Sequence, residues 1–249
     1  MKLTSIDKCF QIIDLLSKNH QGLALSTISE RSGFNKSTVH HILKLLISHG
    51  YVRQLPDTKQ YALGYKFLEV SSRILENVDV RKIANPHMRK LQVESQEAIH
   101  LTILRGKKVI YVDKVAPPGL VVLSTYTGFA IDAYAHAGGK TLLSDLSPEE
   151  IRRLYPEEPL KVHGKNTITT MYDLLSELEK IRQNGYAIDD EEFHEGIRCV
   201  AAPIRVGGKA VAALSISGSI FTMVRERMNR DLIGLVMKTA EKISREMTV

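Results

Sequence analysis

Apolar and polar positions alternate with a helical period through the first fifty residues. From Ser5 to about Asn19, Ile6, Cys9, Ile13 and Leu16 recur at the spacing of one helix face. "GLAL" follows, and then "STISERSG", where Ser26 is expected to cap a short helix and Gly33 to end it in a left-handed turn. Asn35 is suited to cap a third helix, "NKSTVHHILKLL", running to about His49 and stopping at Gly50. In it, Val39, Ile42, Leu43 and Leu46 share one face, while Ser37, His40, His41 and Lys44 share the opposite one, which is polar, basic and free of carboxylates. Tyr51 to Gln54 and Gln60 to Leu63 read as short strands around a Pro-Asp turn. Helix, helix-turn-helix and hairpin in that order describe a winged helix-turn-helix.

Residues 65–79, "YKFLEVSSRILENVD", predict a connecting helix without Gly or Pro, with Leu68, Ser71, Ser72 and Leu75 on one side. It is either a semi-rigid connector that pairs with its own copy or a solvated linker. Residues 80–96 read as a helix, and "AIHLTIL", "VIYVDKV" and "LVVLSTY" as strands separated by "RGKK" and "APPG". Gly138-Gly139 precede a helix expected in "KTLLSDL". Ser147-Pro148-Glu149-Glu150 has the form of a capping box with Pro at the first helical position. A longer helix covers Met171 to Asn184, stopping at Gly185. "RCVAAPIRV" and "AVAALSISG" flank a Gly207-Gly208 hairpin turn, and a last helix runs from about Met223 to Met247. Antiparallel hairpins beside helices make the fold class α+β.

Charge sharpens this picture. Residues 1–64 hold eight Lys/Arg against four Asp/Glu and four of the nine histidines, whereas residues 80–249 hold 24 against 21. A basic domain joined to a nearly balanced one suggests a polyanion partner for the first, or on charge alone no more than a solvated basic surface. In a winged helix-turn-helix, the second helix of the motif enters the DNA major groove, N-terminal residues foremost. The expected DNA-contacting residues are Thr27, Asn35, Lys36, Ser37, Thr38, His40, His41 and Lys44, with Arg53 and Lys59 on the wing. Hydroxyls and amides suit base edges, and the lysines suit phosphates. With no run of about 18 apolar residues and no signal-peptide pattern, the chain is expected to be cytoplasmic, without a membrane partner. Cys9 and Cys199 make no disulfide framework and no CxxC pair.

Two stretches invite chemical readings. "AHAGGKT" looks like the end of a phosphate-binding loop, but the first glycine of that pattern would fall on Tyr134, so the spacing excludes it. Gly138-Gly139 could still offer backbone N–H groups to an anion, or form a plain tight turn. In "DDEEFHEGIRC", His194 and Cys199 could pair as base and nucleophile, but no third orienting residue and no metal-ligand spacing accompanies them. A buried Cys199 and a surface His194 are favoured, and no catalytic residue is assigned.

The order of parts, with "GGKTLLSDLSPEE", "GYAIDDEEFHEGIRCVAAPI" and "GGKAVAALSISG", resembles the IclR family of bacterial transcriptional regulators over essentially the whole chain. The resemblance implies a winged helix-turn-helix at 1–64, a linker helix at 65–79 and a GAF-like effector-binding domain of antiparallel sheet with flanking helices at 80–249. It implies a regulator, more a repressor than an activator, that binds operator DNA as a homodimer or tetramer and responds to a small carboxylate. By motif, the effector pocket includes Leu120 and Leu123 as an apolar wall, Ala137 and Gly138 as N–H donors, and Asp189, Cys199, Ser215 and Ser217 as polar lining. This chain departs from the family pattern at Tyr134, where many members carry His, and at His136, immediately before Ala137. No cofactor and no metal are assigned, and whether His136 and its neighbours recruit an ion stays open. The rivals are a thiol hydrolase or acyltransferase using Cys199, and a DNA-binding domain on a purely structural dimerisation module.

Overall fold

The computed structural model describes residues 4–19, 21–76, 79–117 and 125–247. The chain divides into two compact units, Met1–Asn77 and Val78–Val249.

The first unit opens with α1 (Ser5–Ser17), begun by a capping box in which Thr4 and Asp7 exchange side-chain and backbone hydrogen bonds. α1 buries Ile12 and Leu16 and half-buries Cys9 and Ile13, but Ile6, expected on the same face, is 66% exposed. α2 (Leu25–Ser32) starts two residues earlier than the sequence suggested. Its N-cap is Ala24, with no side-chain cap, so Ser26 lies inside the first turn. It ends at Gly33, whose φ of 72° needs a residue without Cβ strain. α3 (Lys36–Ser48) is capped by Asn35, whose Oδ1 accepts from the Thr38 N–H at 2.8 Å. Val39, Ile42, Leu43 and Leu46 are buried as expected, each contributing about 1.5–3 kcal/mol by leaving water. The hairpin β1 (Val52–Gln54) and β2 (Tyr61–Leu63) follows, with Val52 opposite Leu63. A Leu23–Tyr61 bridge adds the chain before α2 to the wing. α4 (Lys66–Glu76) lies in the stretch expected as a connecting helix at 65–79, of which residues 77 and 78 lie outside the described residues.

The second unit is a six-stranded antiparallel sheet between two helical layers. Its strands are β3 (Ala98–Arg105), β4 (Lys108–Val115), β5 (Ala130–Asp132), β6 (Ala187–Asp190), β7 (Ile197–Val206) and β8 (Lys209–Ser219), in the order β5-β4-β3-β8-β7-β6. α5 (Asp79–Ser95) and the C-terminal helical stretch cover one face, packing on Ile99, Leu101, Val200, Leu214 and Ile216. α6 (Ala137–Leu143), α7 (Pro148–Leu154) and α8 (Met171–Asn184) cover the other, over Tyr111, Cys199, Ala201 and Ala213. The Ser147 capping box and the Gly185 stop are as read from the sequence.

Four expectations change. β5 and β6 are additional short strands. The last helix is not uniform: α9 (Arg225–Arg227) passes through a π turn at Met228–Leu232 into α10 (Ile233–Glu246). Gly138-Gly139 lie inside α6 rather than before it. Of the strand expected in "LVVLSTY", residues 120–124 lie outside the described residues, and Thr125 and Tyr126 are not in a strand. Among the described residues, no helix is long and apolar enough to cross a membrane.

Candidate nucleic-acid interface and candidate ligand site

The outward face of α3 is the first site. Lys36, Ser37, His40, His41 and Lys44 are exposed, and Thr38 and Thr27 are half-buried. Among the described residues, no hydrogen bond or ion pair occupies the side chains of Lys36, His40, His41 or Lys44. Ser37 is less free, since its hydroxyl donates to the same Asn35 Oδ1 that caps the helix, at 3.2 Å. On the wing, Arg53 is exposed, donates to the Leu63 carbonyl at 3.3 Å and lies over the Tyr65 ring at 5.1 Å. Lys59 is exposed with a φ of 57°. A helix in which four buried apolar side chains anchor one side, leaving a carboxylate-free basic side to solvent, has the chemistry for phosphates and base edges.

The second site is a polar island on the sheet face beneath α6. Strand register builds it. Asp189 on β6 pairs with Cys199 on β7, which pairs with Ser217 on β8. One row along, Ser215 sits opposite His100 on β3. All five are buried, as are Ala137 and Gly138 on α6. Thus six of the eight residues expected in the pocket come together on this face, and Leu120 and Leu123 lie outside the described residues. Glycines at the second and third positions of α6 let it pack closely, Gly138 against the sheet and Gly139 against the turn before it. A Cβ on Gly139 would lie 2.0 Å from the Ala133 carbonyl oxygen, and one on Gly138 would lie 2.7 Å from Thr102 Oγ1. Close packing therefore accounts for the glycine pair.

Charge in this island is tightly constrained. Burial, with the neighbouring Glu192 carboxylate, raises the Asp189 carboxyl to about 7, although its Oδ1 accepts from the Glu192 N–H at 2.8 Å. Burial pushes the Cys199 thiol well above its ordinary range, with Asp189 adding to it. Burial holds the His136 imidazole down to about 3, with Lys140 contributing, so it is neutral at physiological pH. His136 Nε2 lies 3.0 Å from the Tyr111 hydroxyl, while Nδ1 has no partner. The Ser215 hydroxyl is equally buried and unpartnered. His100, also held down to about 3 by burial, bridges Ser217 at 3.2 Å and Thr125 at 3.0 Å. Beside the island, buried Lys140 is neutralised by Glu192 at 2.5 Å and Glu177 at 3.5 Å.

His100, Thr102, Tyr111, Thr125 and Lys140 were missed by sequence reasoning. One signal was available: "AIHLTIL" places polar His100 and Thr102 on alternate positions of a strand whose other face is wholly apolar. The suggested His194–Cys199 pair does not form. His194 is exposed and contacts the Glu195 carbonyl, whereas Cys199 faces Asp189 and His136.

A winged helix-turn-helix with an open basic recognition face, carried with a separate sheet domain that buries a polar cluster, is the make-up of a DNA-binding transcriptional regulator. Two family models match, the IclR helix-turn-helix domain over residues 5–56 and the bacterial transcriptional regulator IclR C-terminal domain over residues 72–245, and the chain belongs to this family. It is 31% identical to the HTH-type transcriptional regulator KdgR of Escherichia coli over 246 residues, covering 98% of this chain and 93% of KdgR. The crystal structure of Thermotoga maritima IclR is similar at a TM-score of 0.78 and 32% identity, over 98% of this chain and 99% of that one. An IclR homologue from Microbacterium hydrocarbonoxydans complexed with 4-hydroxybenzoate shares the fold at a TM-score of 0.84, with 20% identity over 98% of this chain and 99% of that one.

Proposed function

We propose that this regulator represses transcription from an operator that it binds as a homodimer or tetramer, and that a small organic acid held in the polar island changes its operator affinity. The observation that carries this reading is the pair of buried, unpartnered polar atoms, His136 Nδ1 and Ser215 Oγ, in an island that also holds Asp189, Cys199, Ser217 and His100. Buried polar groups are nearly always satisfied, so vacant ones on a single sheet face are the mark of a site meant to receive a ligand. Hydroxyls and the first N–H groups of α6, which the His136 side chain does not cap, suit a carboxylate. Asp189 suits a ligand hydroxyl. The 4-hydroxybenzoate in the Microbacterium homologue combines a carboxylate with a hydroxyl, the pairing these donors and acceptors would match.

Thr27, Asn35, Lys36, Ser37, Thr38, His40, His41, Lys44, Arg53 and Lys59 are proposed as the DNA-contacting set. A hydrolase or transferase built on Cys199 is disfavoured on chemical grounds. A nucleophilic thiol needs a lowered pKa and an activating base, whereas burial drives this one upward and His194 is elsewhere. The test is operator binding by fluorescence anisotropy during titration with a panel of aliphatic and hydroxylated aromatic acids. At least one acid is expected to shift both the melting temperature and operator affinity. A panel that binds, shown by thermal shift, while operator affinity stays constant would refute the coupling.

A further inference from the structure

His136, Asp189 and Cys199 converge from three separate segments: the N-terminal edge of α6, the edge strand β6 and the inner strand β7. One ring nitrogen of His136, one carboxylate oxygen of Asp189 and the Cys199 sulfur all lie within 4.8 Å of one another, and all three residues are buried. We propose that these three side chains hold a zinc-type divalent cation, with a fourth coordination position open to the carboxylate of the effector. The proposal rests on the reading of this island as the effector site and names how the acid is held there.

The donor set argues for the class of ion. Imidazole nitrogen, thiolate sulfur and carboxylate oxygen are together the ligands of zinc, not of magnesium or calcium, which take oxygen. Bond lengths of about 2.0–2.3 Å place tetrahedral ligands roughly 3.3–3.8 Å apart, so side-chain rotations of about 1 Å close the triad around an ion. His136 is prepared for the role. Its Nε2 is engaged by the Tyr111 hydroxyl at 3.0 Å, while Nδ1 is buried without a partner. A ligating histidine characteristically has its second nitrogen fixed in this way by an outer hydrogen bond.

Electrostatics point in the same direction. Two acids, a thiol and a carboxyl, are buried side by side, and the nearest buried cation, Lys140, is already matched by Glu192 and Glu177. A divalent ion supplies positive charge, taking the thiolate and the carboxylate as ligands and releasing the protons they carried to solvent. Three protein ligands make an open site rather than a closed structural one. The vacancy is what an effector carboxylate would fill, beside the unpartnered Ser215 hydroxyl.

The experiment uses the full chain, treated with a chelator and then dialysed. Titration with Co2+ is expected to produce the near-ultraviolet charge-transfer band of a cobalt–thiolate bond, saturating at about one equivalent and displaced by Zn2+. Cys199→Ser is expected to abolish the band and weaken Zn2+ binding by at least about tenfold to a hundredfold, and Asp189→Asn to weaken it by a similar factor. Cys9→Ser, in the other unit, should leave both readouts at wild-type values. Unchanged circular dichroism and operator binding establish that the variants fold. No thiolate band in the wild-type chain, or a band that survives Cys199→Ser, overturns the proposal. A carboxylate that shifts operator affinity equally in chelated and Zn2+-loaded protein overturns the metal-held effector while leaving the effector-responsive repressor standing. Stoichiometric Zn2+ binding that tightens a carboxylate's affinity at least about tenfold supports it.

Discussion

At the scale of single residues, the two sites put opposite demands on their side chains. On α3 the polar groups are useful because nothing in the described fold occupies them. Lys44, exposed and unpaired, would contact phosphate. Lys44→Ala is therefore expected to weaken binding to operator and unrelated duplexes alike, and to reduce the slope of log affinity against log salt by about one. An unchanged slope in a salt titration refutes a phosphate contact. Base readout is best tested at His40, because Ser37 also touches the helix cap through Asn35 and its removal would mix two effects. His40→Ala should alter the preferred operator sequence in a binding-site selection; a uniform loss of affinity would count against readout. In the sheet domain, groups are held in protonation states water would not favour. Burial, with His136 and Lys114 nearby, keeps His100 neutral down to about pH 3, well below its ordinary 6.5. The unfolded chain thus takes up a proton there that the folded chain refuses. The stability this lends is complete above about pH 6.5 and lost as pH falls toward 3. His100→Gln, which retains hydrogen-bonding capacity, should flatten the acid side of the stability profile, where His100 contributes up to about 1.4 kcal/mol per pH unit. Urea midpoints of both proteins at pH 7.5 and 5 check this, and parallel losses would refute it.

At the scale of elements, legibility in the sequence followed the range of the interaction. Caps act within three or four residues, so Asn35, Gly33 and the Ser147–Glu150 box could be read directly. Asn35→Ala should cost the first unit about 1 kcal/mol and lower operator affinity through fraying of α3; thermal melts and anisotropy measure the two effects. Ser26 misled because a good capping residue and a tolerable first-turn residue look alike, and packing chose the earlier start. Strands β5 and β6 escaped notice because three or four residues carry too little alternation, and their partners lie 20–24 and 8–14 residues away. The ligand site shows the same divide. Asp189, Cys199, Ser215 and Ser217 sit in segments with recognisable motifs. His100 and Tyr111 join them only because β3 lies between β4 and β8, an ordering no local pattern encodes. Gly139 is the element-scale hinge of that arrangement. Gly139→Ala would drive a methyl into the Ala133 backbone, forcing α6 away from the short turn that precedes it. The expected loss is about 1–3 kcal/mol in the second unit, with acid binding reduced even where the fold persists. A variant with wild-type stability and acid affinity would show that α6 does not depend on this close approach.

At the scale of the whole molecule, the proposed function requires that an acid held in one unit change what another unit does to DNA. The two carry different chemistry. Residues 1–64 hold a net charge of +4 and an open basic helix, whereas residues 80–249 are nearly balanced and enclose their polar groups. Since neither site contains residues of the other, the proposed coupling would act through a ligand-dependent preference among arrangements of the proposed oligomer. Spacing is what DNA reads in such an assembly, because half-sites repeat at one helical turn or a multiple of it. A coupling of about 1–3 kcal/mol, or 5- to 150-fold in affinity, is typical of such systems. Thermodynamics then adds a constraint that requires no structural detail. If an acid changes operator affinity by some factor, operator must change the affinity for that acid by the same factor and in the same direction. For a repressor released by its ligand, saturating operator duplex should weaken acid binding as much as the acid weakens operator binding. Calorimetric titration of the acid into free and operator-bound protein measures one arm, and anisotropy with and without acid measures the other. Equal factors, abolished together by Asp189→Asn and untouched by Cys9→Ser, would establish that the buried island and the exposed helix share one equilibrium. A response in only one arm would mean that the acid acts on DNA binding by some route other than this site.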